Sequence, residues 1–169
     1  TSAVGQGSLF QVILADVPVA AAAPETAPGA AAQAPACDFE PARILLVDDQ
    51  SLVRVGFRTI LETEPGFEVV GEAADGKVAV EQAAALAPDV ICMDVQMPVM
   101  DGLTATRAIT ASGHHAAVMI LTTFDRDDFL FEALDAGASG FLLKTAEPEQ
   151  LVEAVHALAR GDALLSPQV

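Results

Sequence analysis

From Arg43 onward the chain alternates short apolar runs with longer amphipathic ones, five times in succession. The apolar runs predict strands over 43–47, 67–72, 89–93, 117–121 and 140–143. Between and after them, apolar residues recur at helical spacing over 51–63, 76–86, 103–112, 127–136 and 148–160. The helical stretches close at Pro65-Gly66, Pro88, Gly113, Gly137 and Gly161, and Ser51 is the expected N-cap of the first. Strand and helix in strict alternation, joined by short loops, call for an α/β fold with a parallel sheet and helices on both faces.

The residues just past the strands narrow the function. The first strand runs into Asp48-Asp49 and the third into Asp94. The fourth runs into Thr122 and the fifth into Lys144. Parallel strands bring their carboxyl ends to one edge, so three acids, a hydroxyl and an amine meet there. Open α/β sheets bind ligands at that edge, where the strand order reverses.

Composition removes several classes. The 169 residues hold 8 basic against 24 acidic side chains, a formal charge of -16. A surface of that sign repels nucleic-acid phosphates, so this stretch is not expected to bind DNA itself. No apolar run approaches the roughly 20 residues of a membrane helix. Two cysteines, Cys37 and Cys92, make no disulfide framework, and Cys92 reads as a small buried core residue.

Residues 1–41 differ from the rest. Leu9 to Leu14 is apolar, and Pro18 to Ala36 is nearly all Ala, Pro, Glu, Thr, Gly and Gln, the composition of a linker. Ala20-Ala21-Ala22 resembles a leader cleavage site. However, Asp16 and Pro18 interrupt the run and no Lys or Arg precedes Arg43, so a cytoplasmic location is expected over secretion. Residues 9–14 could add a strand to a neighbour, or the whole segment could be an artificial appendage, since the chain starts at Thr1.

Four stretches now combine: Leu46-Val47-Asp48-Asp49, Met93 through Gly102, Leu121-Thr122-Thr123-Phe124 and Ala136 through Lys144. In that order, each at a strand end, they resemble the receiver domain of a two-component response regulator over about residues 42–165. Ile120 to Asp125 and Arg160 to Pro167 resemble the NarL/FixJ-type subfamily, whose output is a helix-turn-helix DNA-binding domain. The resemblance implies a flavodoxin-like doubly wound five-stranded sheet in the order 2-1-3-4-5. It implies an extension over 1–41, a receiver over 42–160, and over 161–169 the start of a linker to an output domain that this chain lacks.

The resemblance also assigns roles. Asp94 is the phosphoacceptor, charged by a sensor histidine kinase. Asp49, Asp94 and the backbone carbonyl of Gln96 hold Mg2+, and Asp48 acts through water. Thr122 and Lys144 take phosphoryl oxygens, and Phe141 follows Thr122 inward. That shift redraws the surface of helix 127–136, strand 140–143 and helix 148–160, controlling homodimerisation and transcriptional output. DNA would be reached only through the output domain, and no membrane is involved. The chemistry is coherent, because a carboxylate nucleophile and a phosphoryl donor are both anionic and clustered acids repel one another. A divalent cation relieves both problems, and Mg2+ suits an all-oxygen site.

Each residue also has a plainer reading. Asp48-Asp49 alone would be a helix-entry cap, Thr122 a β-branched strand residue, Lys144 a solvated charge and Phe141 core. Met93, Met97 and Met100 read as packing, and His114-His115 as a solvent-facing turn. Thr145 follows Lys144 where many family members carry a cis-proline. Gln96 and Phe124 stand where relatives tune dephosphorylation. Phe124 cannot hydrogen-bond an attacking water, so a phosphoryl state lasting minutes or longer is expected, shortened in Phe124→Glu. A phosphate-independent interaction module is the alternative, although such receivers usually lose an acid or the lysine. An aspartyl phosphatase would need an acid where Gln96 stands, so the chain reads as no enzyme.

Overall fold

A computed structural model describes residues 40–123 and 127–162, with backbone alone over 127–129. The expectations for residues 1–39, for Phe124 and for 163–169 lie outside the described residues. The described residues form β1 (Ala42–Val47), α1 (Ser51–Glu62), β2 (Phe67–Ala73), α2 (Gly76–Leu86), β3 (Val90–Asp94), α3 (Gly102–Ala111), β4 (Ala117–Thr122), α4 (Asp127–Asp135), β5 (Gly140–Leu143) and α5 (Pro148–Ala159). All ten expected elements are present, with ends within a residue or two of the expected ones. The strands form one parallel sheet in the order β2-β1-β3-β4-β5.

Alternation along the strands explains why both faces are covered. Leu45, Val47, Ile91, Met93, Val118 and Ile120 point to one side. They pack with Ala79 and Ala83 of α2, Leu103, Ala105 and Ile109 of α3, and Ala133 of α4. The intervening residues Ile44, Leu46, Val90, Cys92, Met119 and Leu121 point to the other side. There they meet Leu61 of α1 and Leu151, Ala154, Val155 and Leu158 of α5. Strands buried on both faces read as unbroken apolar runs rather than alternating ones, as these do. Cys92 lies in this core, and burial pushes its thiol up to about 12.

Two local features depart from the sequence reading. Ser51 is the first helical residue of α1 and not its cap; Gln50 takes the cap position without a side-chain cap bond. The reason lies upstream, where Asp48 Oδ1 accepts the Gln50 N–H at 2.9 Å. That contact turns the chain early, and the Gln50 carbonyl accepts from Val53 and Arg54 to start the helix. The second feature is in β2, where Ile44 pairs with Val69 but Leu45 with Gly71, so Val70 is an extra residue in a bulge.

Candidate functional site

The register carries four strand-end groups to one place. Val47 pairs with Met93, so Asp48 leaves β1 beside Asp94 at the end of β3. Asp94 pairs with Leu121, one residue before Thr122 on β4. Thr122 in turn pairs with Leu143, and its carbonyl accepts the Lys144 N–H at 2.7 Å. The edge lies at β1–β3, where the order reverses, as open α/β sheets place their ligands.

Asp48, Asp94 and Thr122 are buried, with 2%, 5% and 3% of their surfaces exposed. Such burial is rare for carboxylates unless they are paired. The pairing comes from Lys144, whose Nζ lies 2.6 Å from Asp48 Oδ2 and 3.0 Å from Asp94 Oδ1. At Asp48 Oδ2 the contact is a close, buried ion pair with the ammonium. Asp49 and Gln96 are exposed at the mouth. Phe141 is half-buried, packed against the core face that α2, α3 and α4 cover.

One cation serving two buried carboxylates leaves a charge imbalance. Burial pushes the Asp94 carboxyl above its ordinary value, and the Asp48 charge adds to this. The Lys144 ion pair and a hydrogen bond from the Gln96 backbone oppose the rise without cancelling it. For Lys144, burial favours the neutral amine, but its two carboxylate partners prevail and its pKa is raised. The amine is thus firmly charged, while the acids remain short of positive charge.

The residues fit a divalent cation. Asp48, Asp49 and Asp94 each offer a carboxylate oxygen, all within 4.8 Å of one another. Among the described residues this is the one such acidic group. Hard all-oxygen donors suit Mg2+, and one ammonium between two buried carboxylates leaves negative charge for a cation to neutralise. His114 is half-buried and His115 exposed in the α3–β4 loop, and neither joins a metal-spaced group among the described residues. They line a hollow of about 540 Å³ at the opposite sheet edge, with Asp89, Ser139 and Asp162. None of these lining residues carries a buried unpartnered polar atom, and the carboxyl edge carries the chemistry.

The loop after Asp94 is tightly built. Asp101 caps α3 by accepting the Thr104 N–H at 2.8 Å and its hydroxyl at 2.7 Å. Gly102 N–H donates to the Val95 carbonyl at 2.9 Å, folding the loop back on the strand end. Nothing in the sequence pattern singles out Arg54 or Glu72, yet Arg54 reaches the acid turn and Glu72 pairs with it there. Arg54 Nη1 donates to the Asp48 carbonyl at 2.6 Å, and its Nε pairs with Glu72 Oε2 at 3.0 Å. Arg54 and Glu72 lie 18 residues apart and meet where α1 packs on β2.

Comparison with known proteins agrees with this edge. The family model of the response regulator receiver domain matches residues 44–156. YxjL, an uncharacterised transcriptional regulatory protein of Bacillus subtilis, is 45% identical over 72% of this chain and 56% of its own length. The nitrate/nitrite response regulator NarP of Escherichia coli is 43% identical over 76% of this chain and 60% of its own. The chain therefore spans somewhat more than half the length of these relatives. A crystal structure of a LuxR-family two-component response regulator from Aurantimonas superposes with a TM-score of 0.72 at 39% identity. That superposition covers 76% of this chain and 91% of the other. With the match running from β1 into α5 and across the whole acidic edge, the chain belongs to the response regulator receiver domains, in their NarL/LuxR branch.

Proposed function

We propose that this receiver is a phosphorylation-dependent switch in which Asp94 accepts a phosphoryl group from the phosphohistidine of a sensor histidine kinase. An Asp94 carboxylate oxygen forms the bond to phosphorus while the phosphorus–nitrogen bond of the donor breaks, and the imidazole leaves with the electron pair. Asp49, Asp94 and the Gln96 carbonyl would hold Mg2+, with Asp48 through water. When bound, the ion neutralises charge between the carboxylate and the phosphoryl oxygens. Lys144 is already poised on Asp94 and can pass to a phosphoryl oxygen once the carboxylate charge has been consumed. Thr122 supplies a hydroxyl at the same edge. Phe141, packed on the α2–α4 face, would carry its shift to the α4–β5–α5 surface.

The supporting observation is the cluster itself: two buried carboxylates sharing one ammonium, with a third acid at the mouth. A purely structural core has no use for an acid pair that burial penalises. The reading extends to residues 42–160 as the switch and 161–169 as the start of a linker. In a longer protein, phosphorylation would promote homodimerisation and place an output domain on DNA, in the cytoplasm. No helix among the described residues is long and apolar enough to cross a membrane. The domain acts as a switch and not as an enzyme with a small-molecule product.

The test is intact-protein mass after incubation with acetyl phosphate, with and without Mg2+, beside Asp94→Asn. One added phosphoryl group that requires both Mg2+ and Asp94 is the expected result. A folded wild-type chain that gains nothing would point to a phosphate-independent interaction module.

A further inference from the structure

The acid turn after β1 is gripped from outside the pocket. The four polar groups of Asp48 go to four different partners. Its N–H donates to the Ala73 carbonyl of β2 at 3.1 Å. Its Oδ1 accepts the Gln50 N–H at 2.9 Å, and its Oδ2 faces Lys144 at 2.6 Å. Its carbonyl accepts Arg54 Nη1 at 2.6 Å. That last contact falls on the peptide joining Asp48 to Asp49. A peptide group is planar, so holding its oxygen fixes the plane from which Asp49 departs. Asp49 is exposed, so its direction depends on the backbone that carries it more than on a buried surround.

Arg54 is itself braced. Its side chain is 17% exposed, and Nε pairs with Glu72 Oε2 at 3.0 Å. Glu72 also takes Arg58 Nε on its other oxygen at 2.7 Å. Among the described residues the ion pair of Arg54 is with Glu72, so its charge is spent there and not on the acid cluster. The planar guanidinium serves the Glu72 carboxylate through Nε and the Asp48 carbonyl through Nη1 at once, from two nitrogens held in a fixed fork.

We infer that Arg54 is a positioning residue for the cation site: it aims Asp49, through the Asp48–Asp49 peptide, at the place where Mg2+ is held with Asp94. This inference rests on the switch proposed above and assigns that site a support outside the acid cluster. Arg58 provides an internal control. It shares the same Glu72 brace, and its other side-chain partner is Glu62 of α1 rather than the acid turn.

The experiment is calorimetric titration of Mg2+ into the full chain and into Arg54→Met and Arg58→Met, with acetyl phosphate kinetics alongside. Arg54→Met should weaken Mg2+ binding about tenfold or more, the usual cost of losing a group that orients a metal ligand. Its phosphorylation rate should recover at saturating Mg2+, because the groups that contact phosphorus are intact. Arg58→Met should keep Mg2+ affinity within about twofold while losing comparable thermal stability, since surface-type pairs carry similar small energies. Equal Mg2+ affinity in Arg54→Met and wild type would overturn the inference, as would an equal loss in Arg58→Met. If Arg54→Met does not fold, Arg54→Lys carries the test: reduced Mg2+ affinity supports the role, and wild-type affinity overturns it. A wild-type chain that binds no Mg2+ overturns the switch and this inference together, whereas wild-type binding with an unaffected Arg54→Met removes only the inference.

Discussion

A Cβ at position 102 would overlap the backbone carbonyl of Asp94, so the first residue of α3 must be glycine for the helix to start against the strand end. The same loop contains a residue that does not suit its conformation. Val99 has φ 67°, a left-handed value costly for a β-branched side chain, and it is 83% exposed. Its side chain therefore gains little packing to offset the strain. Val99→Gly should stabilise the domain by about 1 kcal/mol, relieving the left-handed penalty against glycine's extra unfolded-state entropy. Thermal denaturation in the absence of Mg2+ measures this; an unchanged or lower midpoint would show that the loop is not strained there. Neither feature stands out in the sequence. The dipeptide Asp101-Gly102 announces a turn, but the close approach behind Gly102 depends on where β3 ends.

At the scale of elements, α1 is joined to β2 by one carboxylate and two guanidinium groups. Burial pushes the Glu72 carboxyl up, but hydrogen bonds from Arg58 and Arg54, with their charges, outweigh it and hold it below its ordinary value. A depressed folded value fixes the sign. The contribution of Glu72 is complete above the unfolded value of 4.5 and drains away as pH falls through the lower folded value. For so small and partly solvated a clamp the amount is about 1 kcal/mol. Glu72→Gln should lower the melting midpoint near neutrality and flatten its decline on acidification below 4.5. Parallel curves for the two proteins would remove Glu72 from the acid response. The elements themselves were legible because each strand is a compact apolar run closed by turn residues. The cap of α1 was not: Ser51 has cap chemistry, but Asp48 draws the chain into the helix a residue early. The bulge at Val70 was hidden too, since one extra residue in a strand leaves no mark on an apolar pattern.

For the whole molecule, 24 acids against 8 bases make self-repulsion part of the stability. Monovalent salt screens such repulsion over a Debye length of about 10 Å at 0.1 M. Raising sodium chloride to about 0.5 M should therefore lift the melting midpoint by a few degrees. Mg2+ at matched ionic strength should add a further rise that Asp94→Asn lacks, because only a specific site gives stabilisation by mass action. A midpoint that falls with salt would mean that attractive pairs such as Arg58–Glu72 outweigh the net charge. The acidic edge was readable because parallel strands translate sequence position into spatial position: Asp48, Asp94, Thr122 and Lys144 each stand at a strand end. Arg54 lay beyond that rule, since its partners are a backbone carbonyl and a residue on the neighbouring strand.

The odd–even division of β1, β3 and β4 between two cores has a consequence for how such a domain can change over time. Leu45 and Val47 belong to one core, Ile44 and Leu46 to the other, and Asp48 comes directly after them. Deleting or adding one residue in β1 would exchange the two sets and turn Asp48 away from Lys144. β1, unlike β2 with its bulge at Val70, is thus a ruler of fixed length, graduated in single residues. Substitutions along it are negotiable, while insertions are confined to the far edge, such as the loop carrying His114 and His115. Lineages of this fold can diversify in letters, but not in spacing, between the start of a strand and the group that it delivers.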